Sequence, residues 1–230
     1  MTVTPDDVEL ARATLAGRIH RTPTSTSAAL GTHLKAELFQ KTGSFKARGA
    51  LNRVEALTPD ERRRGVVTWS AGNHAQAVAW ASAQAGVDCL VVMWEDASLL
   101  KVEATRGYGA TVDTSPSDPA AAYERVQEIV ECEGRVFVHP HSDPHVVAGH
   151  GTLALELCRD RVETVLVSDD EIAEGMRFLY SRTKLACEPA GAAAAGAILA
   201  RKADAGPGVA VVVSGGNVDP REAAAILAAR

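Results

Sequence analysis

No apolar run in the sequence approaches the length of a membrane span, and Met1 to Asp7 lack the basic and apolar regions of a signal peptide. The cytoplasm is therefore the expected compartment. There is no long block of Lys and Arg either, and the formal net charge is −5. Without that electrostatic footprint neither nucleic acid nor an anionic membrane is an expected partner. The four cysteines, Cys89, Cys132, Cys158 and Cys187, form no CxxC pair and lie in or beside apolar segments, so they read as buried thiols. What is present is 230 residues that are 46% apolar, enough for one large or two small domains around a conventional core. A small molecule is the expected ligand.

Helix-start signals recur along the chain. Thr4-Pro5, Thr58-Pro59 with Glu61, Asp118-Pro119, Ser168 with Glu171, and Asp219-Pro220 each place a capping side chain before a first helical turn. Between them lie short β-type runs: Leu34 to Phe39, Val66 to Trp69, Cys89 to Met93, Val136 to Val138, Val162 to Val167 and Val209 to Val213. The last has no polar face, as expected of a strand covered by helices on both sides of a parallel sheet. Alternating strand and helix predict an α/β, doubly wound architecture. The alanine-rich stretch Ala190 to Ala200 reads as a helix whose small residues allow close approach to the sheet.

In open α/β sheets ligands bind at the carboxyl edge of the strands. Two loops leave strands there: Ser70-Ala71-Gly72-Asn73-His74, before a helical stretch that closes at Gly86, and Ser214-Gly215-Gly216-Asn217, before the final helix. A third segment, Thr42 to Ala50, puts Lys46 directly after Phe45 near a helix start. A lysine beside an apolar ring is partly desolvated, which favours the nucleophilic amine that Schiff-base chemistry needs. A solvated surface lysine is the commoner fate of such a residue, so this segment alone does not decide.

Four motifs in order do: TGSFKARGA at Thr42 to Ala50, SAGNHAQ at Ser70 to Gln76, CEPAGAA at Cys187 to Ala193 and VSGGNVD at Val213 to Asp219. Together with DPHVVAGHGTLALEL at Asp143 to Leu157 and SDDEIAEGMRFL at Ser168 to Leu179, the sequence resembles the threonine/serine dehydratase and serine racemase family of fold-type-II pyridoxal phosphate enzymes. The resemblance implies two open doubly wound domains of the tryptophan synthase β-like kind: a large cofactor-binding domain from 1–64 and 143–230, and a small substrate-side domain from 65–142. It implies pyridoxal phosphate held by Lys46 through a Schiff base, with Phe45 packed on the ring, Asn73 at the ring hydroxyl and Ser214 at the pyridine nitrogen. Ser70, Ala71, Gly72, Asn73 and His74 would line the substrate carboxylate, since a helix N-terminus with free N–H groups suits an anion. Glu188 would lie near the ring edge, or serve only as a helix-start carboxylate.

The implied reaction is β-elimination of L-threonine or L-serine to a 2-oxo acid and ammonia, with Lys46 moving the α-proton. In similar racemases a serine occupies the place of Ala71, and alanine there favours the dehydratase. His139, His141, His145 and His150 cluster in the sequence, yet no cysteine or carboxylate set completes a zinc site, and none is expected. His141 and His150 depart from the family's usual residues.

The resemblance breaks between Leu157 and Val162. Similar enzymes insert there a block of strands and helices carrying the glycine-rich loop that cradles the cofactor phosphate and, in some members, an acidic metal site. Here the larger domain is shortened by that block, and Gly215-Gly216 is too short to replace it. The stretch Thr24 to Lys35 is also a few residues short. The shortening predicts marginal stability or a possible homo-oligomer that covers exposed sheet edges. Three readings follow: a lyase that completes its site another way, an inactive remnant that acts as a binding protein, and a racemase or other β-eliminating enzyme.

Overall fold

The computed structural model describes residues 3–157, 165–206 and 208–229. In chain order its regular elements begin with α1 (Pro5–Leu15), β1 (Thr24–Ser27), β2 (Thr32–Ala36), α2 (Lys46–Glu55), α3 (Pro59–Arg64), β3 (Val66–Trp69), α4 (Asn73–Ala85) and β4 (Cys89–Val92). They continue with α5 (Leu99–Gly107), β5 (Thr111–Asp113), α6 (Pro119–Glu133), β6 (Val136–Phe137), α7 (Pro144–Leu157), α8 (Asp169–Phe178), α9 (Pro189–Leu199), β7 (Ala210–Val213) and α10 (Pro220–Ala228). All five helix-start signals cap helices: Thr4, Thr58 and Ser168 close capping boxes with Asp7, Glu61 and Glu171, and Asp118 and Asp219 accept backbone N–H bonds. Such caps satisfy first-turn donors that no intrahelical carbonyl can reach.

Packing divides the chain into two compact units, Met1–Ile19 with Lys46–Glu156, and His20–Phe45 with Leu157–Arg230. The first contains the parallel sheet β5-β4-β3-β6, which lies wholly within 65–142. Around it pack not only α4, α5 and α6 but also residues of α1, α2 and α7, through Leu15, Leu51, Val54 and Val146 of one core cluster. The units thus group 46–64 and 144–156 with the small sheet. The physical reason is the α2–α7 crossing. A Cβ added to Gly149 would lie 2.6 Å from the Arg48 carbonyl oxygen and 2.7 Å from Gly49 Cα, so the two backbones touch only because both positions lack side chains.

The same crossing buries Arg48, whose side chain is 1% exposed and donates to Glu156 at 2.8 Å and to Thr152 at 3.3 Å. Removing Glu156 takes from the buried guanidinium the carboxylate that balances its charge. Glu156→Ala is expected to lower unfolding stability by about 3 kcal/mol, with Glu156→Gln recovering part of it. Chemical denaturation of the three proteins measures this, and an unchanged midpoint for Glu156→Ala would refute it.

The second unit holds the sheet β1-β2-β7, in which β1 pairs antiparallel with β2 and β2 parallel with β7. Its core joins Leu34, Val211 and Val213 to Met176, Leu179 and Ala192 of the helical layer. Two sequence expectations are corrected here. The run Leu34 to Phe39 is strand only to Ala36, because Glu37–Phe39 turns into a 3-10 helix. Val209 to Val213 is not covered equally on its two faces: among the described residues β7 pairs with β2 alone, and its burial alternates. In α9 the small residues face the sheet as expected, Ala192 and Ala195 sharing a core cluster with Val211 and Val213, and they also admit α8, since a Cβ on Gly175 would lie 2.6 Å from the Ala192 carbonyl oxygen and 2.7 Å from the Gly196 nitrogen.

The expected strand Val162 to Val167 lies outside the described residues up to 164, and Val165–Val167 carry no strand. Of the cysteines, Cys89 and Cys187 are buried, Cys132 is exposed at the end of α6, and Cys158 lies outside the described residues. No described helix is long and apolar enough to cross a membrane.

Candidate active site

In the first unit β3 ends at Trp69 and the chain turns through Ser70, Ala71 and Gly72 into α4. Gly72 is the N-cap and gives no side-chain cap, while Ser70 Oγ accepts the Gly72 N–H at 3.1 Å. The first turn of α4 thus begins with backbone donors and a positive helix end uncovered by a side chain of its own, which is an anion-binding arrangement. A Cβ on Gly72 would meet nothing nearer than Ser70 Oγ at 3.9 Å, so the space beside the turn is open to a ligand. Asn73 opens the helix. His74 follows and is buried, with Nε2 3.2 Å from the Val138 carbonyl oxygen and Nδ1 without a hydrogen-bond partner. Burial, and after it the charge of Lys46, drives the His74 pKa down to about 3. The ring is therefore neutral.

Lys46 is the first residue of α2, and its side chain is half-buried. Its Nζ donates to the Pro140 carbonyl oxygen at 3.4 Å. Burial lowers the Lys46 pKa, the direction that supplies a neutral, nucleophilic amine. The Pro140 carbonyl was not singled out from the sequence, because a backbone acceptor leaves no residue-type signal. Of the clustered histidines, His139 accepts the backbone N–H groups of His141 and Ser142 at 3.1 Å each, and burial lowers the pKa of both His139 and His141. His145 sits in the first turn of α7, its N–H held by Asp143. Among the described residues no group of His, Cys, Asp and Glu has the arrangement to hold a metal ion.

In the second unit three of the sequence motifs converge on one turn. Phe45 N–H donates to the Ser214 carbonyl oxygen at 3.1 Å, Ser44 bridges antiparallel to Gly215, and Gly216 N–H donates to the Gly43 carbonyl oxygen at 3.0 Å. Asn217 Nδ2 donates to the Thr42 carbonyl oxygen at 2.7 Å, where Thr42 itself takes φ 60°. Glu188 N–H donates to the Gly215 carbonyl oxygen at 3.1 Å, and Glu188 serves as N-cap of α9 without a side-chain cap bond. Gly191 is what lets α9 come so near, because a Cβ there would lie 2.5 Å from the Gly215 carbonyl oxygen. Two hydroxyls in the turn, Thr42 Oγ1 and Ser44 Oγ, are buried without a partner, a cost of about 1–3 kcal/mol each that folding alone does not recover.

These features fit the cofactor expected from the sequence at two points: a desolvated primary amine in the first unit, and an anion-receptive helix start beside it in the chain's loop order. The sequence between Leu157 and Val162 holds no glycine-rich loop for a phosphate, and Gly216 N–H is already committed to Gly43.

A model described as pyridoxal-phosphate dependent enzyme matches residues 15–165. The L-threonine ammonia-lyase of Thermotoga maritima is 33% identical over an alignment of 305 residues that covers 94% of this chain and 76% of that protein. The alignment is longer than the 230-residue chain itself, so the relative contains residues with no counterpart here. The catabolic L-threonine dehydratase TdcB of Escherichia coli K12 is 44% identical over 170 residues, 70% of this chain, which spans only 52% of that relative. Among solved structures, maize serine racemase superposes with a TM-score of 0.87 at 25% identity over 96% of each chain. The T.th. threonine deaminase gives 0.84 at 29% identity, over 94% of this chain and 99% of its own.

Proposed function

Given that the chain belongs to the pyridoxal-phosphate dependent enzyme family, we propose that it is an L-threonine/L-serine ammonia-lyase, releasing a 2-oxo acid and ammonia. The observation that carries the proposal is the Lys46 amine, half-buried and lowered in pKa at the start of α2. When bound, pyridoxal phosphate supplies the electron sink that stabilises negative charge at the substrate α-carbon. Lys46, Phe45, Asn73 and Ser214 would hold it. Lys46 would then take the α-proton, while Ser70, Gly72, Asn73 and His74 bind the substrate carboxylate at the start of α4. Ser214 would meet the cofactor with a neutral hydroxyl, which would stabilise a positive charge there less than a carboxylate would. The proposal includes a cytoplasmic location and association with further copies of the chain, in keeping with the exposed apolar Leu99 and Leu100.

Ala71 separates this reading from a racemase. Its methyl packs against the core of the first unit and can give no proton to the second face of the α-carbon. With added pyridoxal phosphate and L-serine, the expected product is pyruvate and ammonia in excess over D-serine, and Ala71→Ser should raise the D-serine share. Predominant D-serine from the unmodified protein would overturn the assignment, and cofactor binding without any turnover would leave a binding protein.

A further inference from the structure

His150 has no role in the reading above, and its surroundings are unusual for a histidine. It lies in α7 one residue beyond Gly149, in the α2–α7 crossing, and is largely buried. A Cβ added to Gly49 would fall 2.5 Å from His150 Nε2 and 2.5 Å from the Val146 carbonyl oxygen. The imidazole therefore occupies the space that a side chain on α2 would need, less than one turn beyond Lys46. The ring also hydrogen-bonds the backbone of Lys46. The Lys46 amine itself donates to the Pro140 carbonyl oxygen. The ammonium charge in turn disfavours protonation of His150, His74 and His141, so these three rings are the titratable neighbours that sense it. Arg48, the other cation at this crossing, is committed to Glu156 and Thr152.

We propose that His150 is a positioning residue for Lys46: its ring buttresses the first turn of α2 and excludes water from beside the lysine amine. Burial and the neighbouring ammonium put the His150 pKa at about 3, so near neutral pH the ring fills this space without adding a positive charge. It withdraws solvent from the amine and contributes no cation of its own. An alanine in its place would leave a cavity edged by the Lys46 backbone and by other polar atoms, roomy and polar enough for water to enter. Hydration then favours the ammonium, and the Lys46 pKa rises towards its ordinary value. Each unit of rise lowers the neutral amine, and its rate of reaction with a carbonyl compound, by about tenfold at a pH well below the pKa.

The inference rests on Lys46 being the cofactor-holding lysine, but its test does not need the cofactor. In protein stripped of pyridoxal phosphate, lysines are reductively methylated with carbon-13 formaldehyde and titrated by NMR, with the Lys46 signal assigned by its loss in Lys46→Ala. Lys46 is expected to titrate below the other lysines in the unmodified chain, to move up in His150→Ala, and to return in His150→Gln, which restores volume and a hydrogen-bonding group. A role in stability alone would lower the melting temperature of His150→Ala and leave the Lys46 titration where it was; that result overturns the proposal. Should His150→Ala fail to fold, His150→Asn, shorter but polar, carries the same expectation of an upward move and the same refutation. Borohydride trapping of the cofactor on a residue other than Lys46 would sink the functional reading instead, while leaving the measured His150 coupling to stand.

Discussion

Titrated with pyridoxal phosphate, the purified chain is expected to bind it about ten-thousand-fold more weakly than a relative that carries the glycine-rich phosphate loop. Backbone donors at a helix start each give a phosphate a charge-assisted hydrogen bond of roughly 1.5–3 kcal/mol net. Losing about four of them costs on the order of 6 kcal/mol, which is roughly that factor in affinity. The junction where the loop belongs falls at 158–164, outside the described residues. The glycine pair elsewhere in the chain does not substitute for it. Gly216 spends its N–H on Gly43, and Gly215 spends its carbonyl on Glu188. A bond to Lys46 recovers part of the loss but cannot replace the anchoring of a dianion. Following the visible band of the lysine-bound cofactor against added pyridoxal phosphate measures the affinity. Near-stoichiometric binding would show that another segment supplies the phosphate contacts.

Lys46→Ala is expected to abolish the borohydride-trapped cofactor adduct and to lower turnover by about a thousandfold or more, with the fold retained. Two functions are lost together, the covalent hold on the cofactor and the proton carrier, and the second alone is typically worth about 10²–10⁴ in rate. The fold survives because Lys46 is only half-buried and opens α2 rather than filling a core. Residues Ala47, Ala50, Leu51 and Val54 carry the packing of that helix. Mass spectrometry of the reduced protein locates the adduct. An equally strong adduct in Lys46→Ala removes Lys46 from the chemistry.

How much of this was readable in advance depended on whether the signal was local. Every helix start announced by a capping residue is present, because a cap is an interaction between residues two or three apart and needs no tertiary context. Gly86 closes α4 in the left-handed conformation expected of it, φ 63°. Strand limits were less legible. The three-residue β5 shows no alternating run of its own and forms by pairing with β4, and β1 is a serine- and threonine-rich stretch with mostly exposed residues. At the site, Lys46, the Ser70 to His74 loop and the turn at Ser214 were visible as motifs. The Pro140 carbonyl, the Arg48–Glu156 pair and the His150 contact were not. Each joins residues about ninety or more positions apart, and no spacing in the sequence encodes such a pairing. The expected domain limits placed α2 and α7 with 1–64 and 143–230, whereas the glycine-lined crossing ties them to the small sheet's unit, a proximity that becomes apparent only when both backbones are seen in contact.

The contact between Gly175 and Gly196 has a consequence for how the second unit tolerates sequence drift. Around these two positions α8 and α9 meet backbone to backbone, so acceptance of a substitution there is governed by volume and hardly at all by polarity. Even alanine, the mildest change elsewhere on a helix, must push the pair apart. The outward positions of the same helices carry no such restriction: Glu174 is paired with Arg177 at the surface and can be exchanged for most residues at little cost. In a library of random variants selected only for folding, positions 175 and 196 should therefore stay fixed amid freely varying neighbours. That pattern would resemble the signature of a catalytic residue, although it arises here from the thickness of a methyl group.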